Sequence, residues 1–303
     1  MTTRLTIPQR RRRPGASGVT DTALGLSGRR GPVSVVLRVV LYVAIAFVFA
    51  GPLLAVLVGA FSELSDPAEL SLIPDSFTLN NFAVAADRGV LGYLLNSFLV
   101  VGFGLLLQIS VSVLAAYALA RKKFRGMTAV LLLILATMML PEEILAIPLS
   151  VVLSDLPVFG TNLIGSLAGM ILPVGAWGFS ILVMTEFMRE VPIELEEAAR
   201  IDGAGELRIF WSVVLPLCRP AVGVIGVFGF TMVWDQYLLP LIVATEPGQY
   251  TLPIALRILR SDEQVGSGVL LASALLALLP SVIAFLAMQR QFMRGLTAGA
   301  VKG

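Results

Sequence analysis

The chain has no histidine, one cysteine and three lysines among its 303 residues. The first two scarcities exclude a disulfide within the chain and a cysteine/histidine metal cluster, and leave Cys218 as a small packing residue. The lysines exclude more. A P-loop sets Lys after Gly and before Ser or Thr, so that the ammonium reaches phosphate oxygens and the hydroxyl holds magnesium. Lys122, Lys123 and Lys302 do not follow a glycine. ATP hydrolysis by that motif is therefore outside this chain's chemistry. With histidine absent and serines scattered through apolar runs, no nucleophile and base pair stands out, and the chain reads as a protein that is not an enzyme. Charge is scarce too. At 14% charged and 57% hydrophobic residues, the composition excludes an ordinary soluble surface.

A helix needs about 20 apolar residues to cross about 30 Å of hydrocarbon. Six stretches qualify: residues 39–60, 94–120, 128–152, 163–184, 221–243 and 269–288. The expected fold class is all-α, a polytopic membrane protein with six transmembrane helices spread over residues 39–292. Pro141-Glu142-Glu143 and Pro148 interrupt the third stretch, which is either a broken helix or a shorter span followed by an interfacial helix. No internal repeat is visible, and the polar stretch at 61–90 is too short for a domain.

With a cytoplasmic N-terminus, the inside segments hold 19 of the 22 lysines and arginines. That asymmetry satisfies the positive-inside rule and sets both termini in the cytoplasm. Arg10 to Arg13 lie in a basic tail of residues 1–38. The first apolar run starts some twenty-five residues later and is as long as a full span, so the tail reads as a retained basic arm near anionic headgroups rather than half of a cleaved signal.

Between the fourth and fifth stretches lies a polar segment, residues 189–216, too ordered in pattern to be a connector. Pro192 suits the first turn of a helix, and Gly203 with Gly205 suits a tight reversal at its end. In a second short helix Leu207, Phe210, Trp211 and Val214 fall at i, i+3, i+4 and i+7, predicting one apolar stripe closed by Pro216. Small residues at the turn let another protein's surface approach the backbone. The alternative, an amphipathic helix lying in the headgroups, meets seven carboxylates against four arginines over residues 186–219, which anionic lipid repels.

Glu197-Ala198-Ala199, then Gly203 after three intervening residues, and Val213-x-Leu215-Pro216 after nine more resemble the EAA loop of binding-protein-dependent ABC importer permeases, with Val213 where that family usually has Ile. The ending GLTAGAVKG, residues 295–303, resembles the tail of the smaller maltose-type sugar permease subunit, and Phe77 to Phe82 resemble its first external loop. The resemblance implies the inner membrane of a bacterial-type cell. Its implied partners are a second permease subunit in a heterodimer, two ABC ATPase subunits and an extracytoplasmic solute-binding protein, with surrounding lipid and no nucleic acid. The chain itself is expected to bind no cofactor; ATP and magnesium belong to the ATPase. Glu197, Ala198, Ala199, Asp202, Gly203, Leu215 and Pro216 would form the coupling helix that docks in the ATPase, and Gly299, Lys302 and Gly303 in a tail from 293 would touch it. The implied cargo is a sugar or a related polyol.

Within the membrane, Asp235 is the unusual residue, because intramembrane carboxylates are costly and usually face a bundle interior or watery path. It stands where the resembling Trp-x-x-Tyr/Phe-Leu-x-Pro-Leu pattern often has Asn. Asp235, Gln236 and Asn96 are the candidate pathway-lining residues. Asn96, with Ser97 and Gln108, reads alternatively as interhelical glue. Glu142 and Glu143 fall near the outer interface, where a gate is one reading. The competing function is an ion- or proton-coupled secondary transporter using Asp235 or Glu142, and such a carrier has no reason to possess the 197–216 pattern.

Overall fold

The computed structural model describes residues 32–64, 76–157 and 160–300, with 32–34 and 290–300 as backbone only. The arginine run at 10–13 and the tail residues Lys302 and Gly303 lie outside the described residues. Two compact units divide at Leu53 and Leu54. In the first, the described residues are the opening turns of α1 (Pro32–Ala60), where Val36, Tyr42, Phe47 and Phe49 are all exposed. A helix apolar on every face belongs in lipid or against other spans.

The second unit is built around α3 (Val90–Arg121), preceded by the short α2 (Asn80–Asp87). At about 1.5 Å per residue, its 32 residues make a rod of about 48 Å. Gly104, Gln108, Ser112 and Ala116 recur every fourth residue and are buried. The small Gly104, Ser112 and Ala116 let α7 (Gly178–Glu190) and α10 (Arg219–Trp234) approach closely, and Ser112 Oγ lies 2.6 Å from Ser180 Oγ across the α3–α7 contact.

Prolines set most of the remaining breaks. α4 (Met127–Met139) ends before Pro141, where Leu140 is extended, and α5 (Glu142–Ser154) leaves at 112° to it. Glu142 and Glu143 then occupy the first turn of α5, where a helix dipole favours carboxylates. The third stretch is thus two helices joined at a sharp bend, which suits either expected form. Pro148, expected to interrupt it too, is carried inside α5. The fourth stretch is less regular than expected: α6 (Leu167–Ile171), a 3₁₀ turn at Pro173–Ala176 and then α7, which runs on to Glu190. The fifth also differs. α10 ends at Trp234, and α11 (Leu238–Val243) begins after a break, because the Pro240 ring cannot accept a helical Gln236 carbonyl beneath it.

α12 (Leu252–Ser261) and α13 (Ser267–Ala300) are the last helices among the described residues, and α13 remains helical through residue 293, where the sequence suggested a tail. Among the described residues all regular structure is helical, with four helices long and apolar enough to span a membrane, or six when each of two bent pairs is one span.

Candidate functional site

The polar segment folds as two limbs and a turn. Its first limb is α8 (Ile193–Ile201), begun by Pro192 at the cap; the second is α9 (Glu206–Leu217). Gly203 has φ +84°, donates its N–H to Arg200 O at 3.0 Å, and is followed by Ala204 N donating to Ala199 O at 2.9 Å. This pair of bonds is a Schellman turn, which satisfies the last carbonyls of α8 and calls for glycine at the left-handed position. A Cβ on Gly203 would meet nothing within 4 Å, so the turn is an open tip.

The expected apolar stripe of the second limb is overturned. Leu207 and Trp211 are 75% and 61% exposed, whereas Ile209, Phe210 and Val214 are buried with Val113, Met184 and Met188. A π turn at Phe210–Val214 is the reason, since its wider winding carries the buried positions from Ile209 and Phe210 to Val214 and then Cys218. Phe210 also packs on Tyr117 of α3, with ring centroids 4.9 Å apart. Nor does Pro216 close the helix; α9 continues to Leu217 and meets α10 at 73° across Cys218, itself buried as a packing residue.

The carboxylate that the fold uses is Glu196, not its neighbour. Glu196 is fully buried and paired to Arg121 Nε at the end of α3, while Arg121 Nη2 donates to Val191 O at 2.7 Å. Arg121 thus grips the start of α8 at a carbonyl and a carboxylate at once. Removing one partner of so buried a pair typically costs about 3–5 kcal/mol. From Glu196 the charges continue outward: Arg200 Nη2 lies 3.6 Å from Glu196 Oε2 and Arg200 Nε 3.0 Å from Glu206 Oε1. Glu206 Oε2 accepts from Lys122 Nζ at 2.7 Å and from the Tyr117 hydroxyl at 3.2 Å. The hydrogen bond from Lys122, then that from Arg200, holds the Glu206 carboxyl down at about 2. Glu197, Ala198, Asp202 and Gly203 are exposed, Ala199, Leu215 and Pro216 half-buried. The sequence carried one signal for this network that went unused: the basic run Arg121-Lys122-Lys123 ends a span facing a segment rich in carboxylates.

The candidate pathway residues are not brought together. Asn96 Nδ2 donates to Gly248 O at 2.8 Å and Tyr250 O at 3.0 Å, so its amide ties α3 to the loop before α12. Ser97 Oγ beside it accepts from Leu252 N at 2.8 Å. Asp235 caps α10 at the break and lines a cavity of about 320 Å3 with Trp234 and Ser281. Gln236, the next residue, faces a different cavity of about 410 Å3 that it shares with Glu142, Thr137, Trp177 and Phe179. Gln108 is fully buried against Gly229. Gly299 lies on the backbone of α13.

Residues 108–296 match the family described as the binding-protein-dependent transport system inner membrane component. The sulfoquinovosyl glycerol transport system permease protein SmoH of Agrobacterium fabrum is 33% identical over 251 residues, covering 80% of this chain and 86% of that protein. The melibiose/raffinose/stachyose import permease protein MelC of Bacillus subtilis is 32% identical over 254 residues, with 83% and 91% covered. In fold, the chain resembles a solved bacterial ABC transporter involved in the import of the acidic polysaccharide alginate, with TM-score 0.73 at 20% identity over 92% of this chain and 99% of that one. A polytopic helical chain carrying an exposed glycine turn between two anchored limbs, matched over this much of its length, belongs to the binding-protein-dependent family of inner membrane components, the permease subunits of ABC importers.

Proposed function

We propose that this permease imports a sugar, an oligosaccharide or a related polyol derivative, and that the Gly203 turn is where the ATPase drives it. Permeases named for raffinose-type sugars and for sulfoquinovosyl glycerol, each about a third identical to this chain, support the cargo class. The complex would hold a second permease subunit, two ATPase subunits that carry the ATP and magnesium, and an external solute-binding protein. The 189–216 segment and both termini face the cytoplasm on this reading, consistent with 19 of the 22 cations on that side.

One observation carries the docking reading. In the two limbs beside the bare glycine tip, Ile201, Leu207 and Trp211 are 87%, 75% and 61% exposed. Large apolar side chains grouped at a turn mark a surface made to be covered. The carboxylates of the same segment disfavour anionic lipid as the cover, and an ATPase cleft with a basic residue opposite Glu197 fits both features. ATPase closure then rocks the bundle between inward-open and outward-open arrangements, which requires differential contact with the two ATPase states. Glu197, Ala198, Ala199, Asp202 and Gly203 form the inserted tip; Leu215 and Pro216 set the second limb. Gly299, Lys302 and Gly303 are assigned a further contact with the ATPase, to be tested by co-purification after removal of residues 296–303.

Glu197→Lys or Gly203→Trp tests the docking. The first sets a cation against the expected basic partner; the second puts an indole on the tip and strains a left-handed backbone by about 1–2 kcal/mol. In reconstituted vesicles both should insert normally yet lose transport. Normal transport by either would remove the docking assignment.

A further inference from the structure

The geometry points to α3 as a strut that carries ATPase closure from the Gly203 bracket to the loop before α12 on the opposite face, with Arg121 and Glu196 as positioning residues at one end and Asn96 and Ser97 at the other. The inference rests on the docking reading of the Gly203 turn and adds the route by which motion leaves it.

Three features meet in this helix. At one end, both limbs of the turn are fixed to its last residues: α8 through the Arg121 fork on Glu196 and Val191 O, and α9 through Lys122 and Tyr117 on Glu206. Arg200 joins the limbs to each other, so the turn is braced on all sides and a push at its tip displaces it as one body. Between the ends, α3 is one uninterrupted helix, as α13 is, whereas α4 with α5 and α9 with α10 are bent by 112° and 73°. A continuous helix transmits a displacement along its axis that a hinged one absorbs. At the far end, Asn96 holds the carbonyls of Gly248 and Tyr250, Ser97 holds the N–H of Leu252, and the Tyr93 ring sits 6.2 Å from that of Tyr250. Arg88, just before the helix, pairs with Asp262 at 2.6 Å beyond α12. The loop is therefore fastened to α3 at several points, as the turn is.

Spatial continuity alone is no proof of coupling, so the test measures movement at one end while the other is altered. A fluorophore on Glu246→Cys reports the loop; the native Cys218 is buried, so the label takes the exposed thiol. The probe is ATP with magnesium and vanadate, added to the assembled complex in vesicles. Arg121→Lys keeps the charge but not the two-point fork. It should leave the ATPase subunits co-purifying while the ATP-dependent change in label signal falls about fivefold or more. Arg200→Gln, at the surface, should do the same and decides the matter if Arg121→Lys does not assemble. A label response within about twofold of the unsubstituted chain in Arg200→Gln, or in an assembled Arg121→Lys, overturns the strut. Gly203→Trp in the same background separates the two levels. If it keeps full label response, the docking reading itself falls; if it silences the label while Arg121→Lys and Arg200→Gln do not, only the strut falls.

Discussion

Arg200 and Glu206 face each other across the Gly203 turn, Nε to Oε1 at 3.0 Å, and so tie the two limbs of the bracket together at its mouth. Both side chains are about half exposed, which makes the tie sensitive to acid and to salt.

The sign of the acid effect follows from the direction of the shift. Glu206 is held at about 2, below its ordinary 4.5, so its contribution is fully present above pH 4.5 and fades as pH falls toward 2. The thermal midpoint of the detergent-purified chain should therefore fall through that window. Glu206→Gln should be less stable at neutral pH and flatter in acid. An equal acid slope in the variant would assign the loss to other carboxylates.

Phe210 and Trp211 are neighbours with opposite surroundings, one buried and one exposed. Phe210→Ala should open a cavity beside Tyr117 and cost about 3–5 kcal/mol. Trp211→Ala should stay within about 0.5 kcal/mol while weakening ATPase association. Chemical denaturation and co-purification, run together, check the contrast, and equal destabilisation by the two would contradict the π turn.

Gly169 has no room for a side chain. A Cβ there would press on the Leu163 carbonyl oxygen and come within 3.0 Å of Val243. Gly169→Ala should cost about 1–3 kcal/mol through backbone displacement. Gly248→Ala, where a Cβ meets nothing within 4 Å, is the control and should unfold with the unsubstituted chain.

Asp235 gives a test of energy source. An ion-coupled carrier that used it would lose accumulation in Asp235→Asn, since an amide neither exchanges a proton nor balances a cation. In an ATP-driven permease, Asn should keep most transport. Vesicles with enclosed ATP and gradients collapsed by ionophores should transport with either residue, and failure of the unsubstituted chain there would point to a gradient.

What was legible in the sequence was local chemistry. Pro192 and Gly203 bound α8 because capping and left-handed turns depend on the residue in place, and the Pro141 break follows from one ring. Reading 221–243 straight through Pro240 missed the same argument. The stripe on the second limb failed because a π turn is settled by packing on α3, not by the 206–217 pattern itself. Glu196 was overlooked beside Glu197 because nothing local distinguishes two adjacent carboxylates; the distinction comes from Arg121, 75 positions earlier. Asn96 was read as pathway-lining or as interhelical glue because an intramembrane amide is conspicuous, and the carbonyls that its amide holds, in a loop more than 150 residues away, were not legible locally.

The length of α3 bears on the lipid around it. A rod of about 48 Å exceeds a hydrocarbon layer of about 30 Å by about 18 Å, and a tilt near 20° removes only about 3 Å of that surplus. Bilayers that differ by a few ångströms in thickness shift the helix without drawing Arg121 and Lys122 into the hydrocarbon. The attachment of α8 and α9 to the end of α3 is thereby insulated from the acyl-chain composition of the membrane that houses the permease.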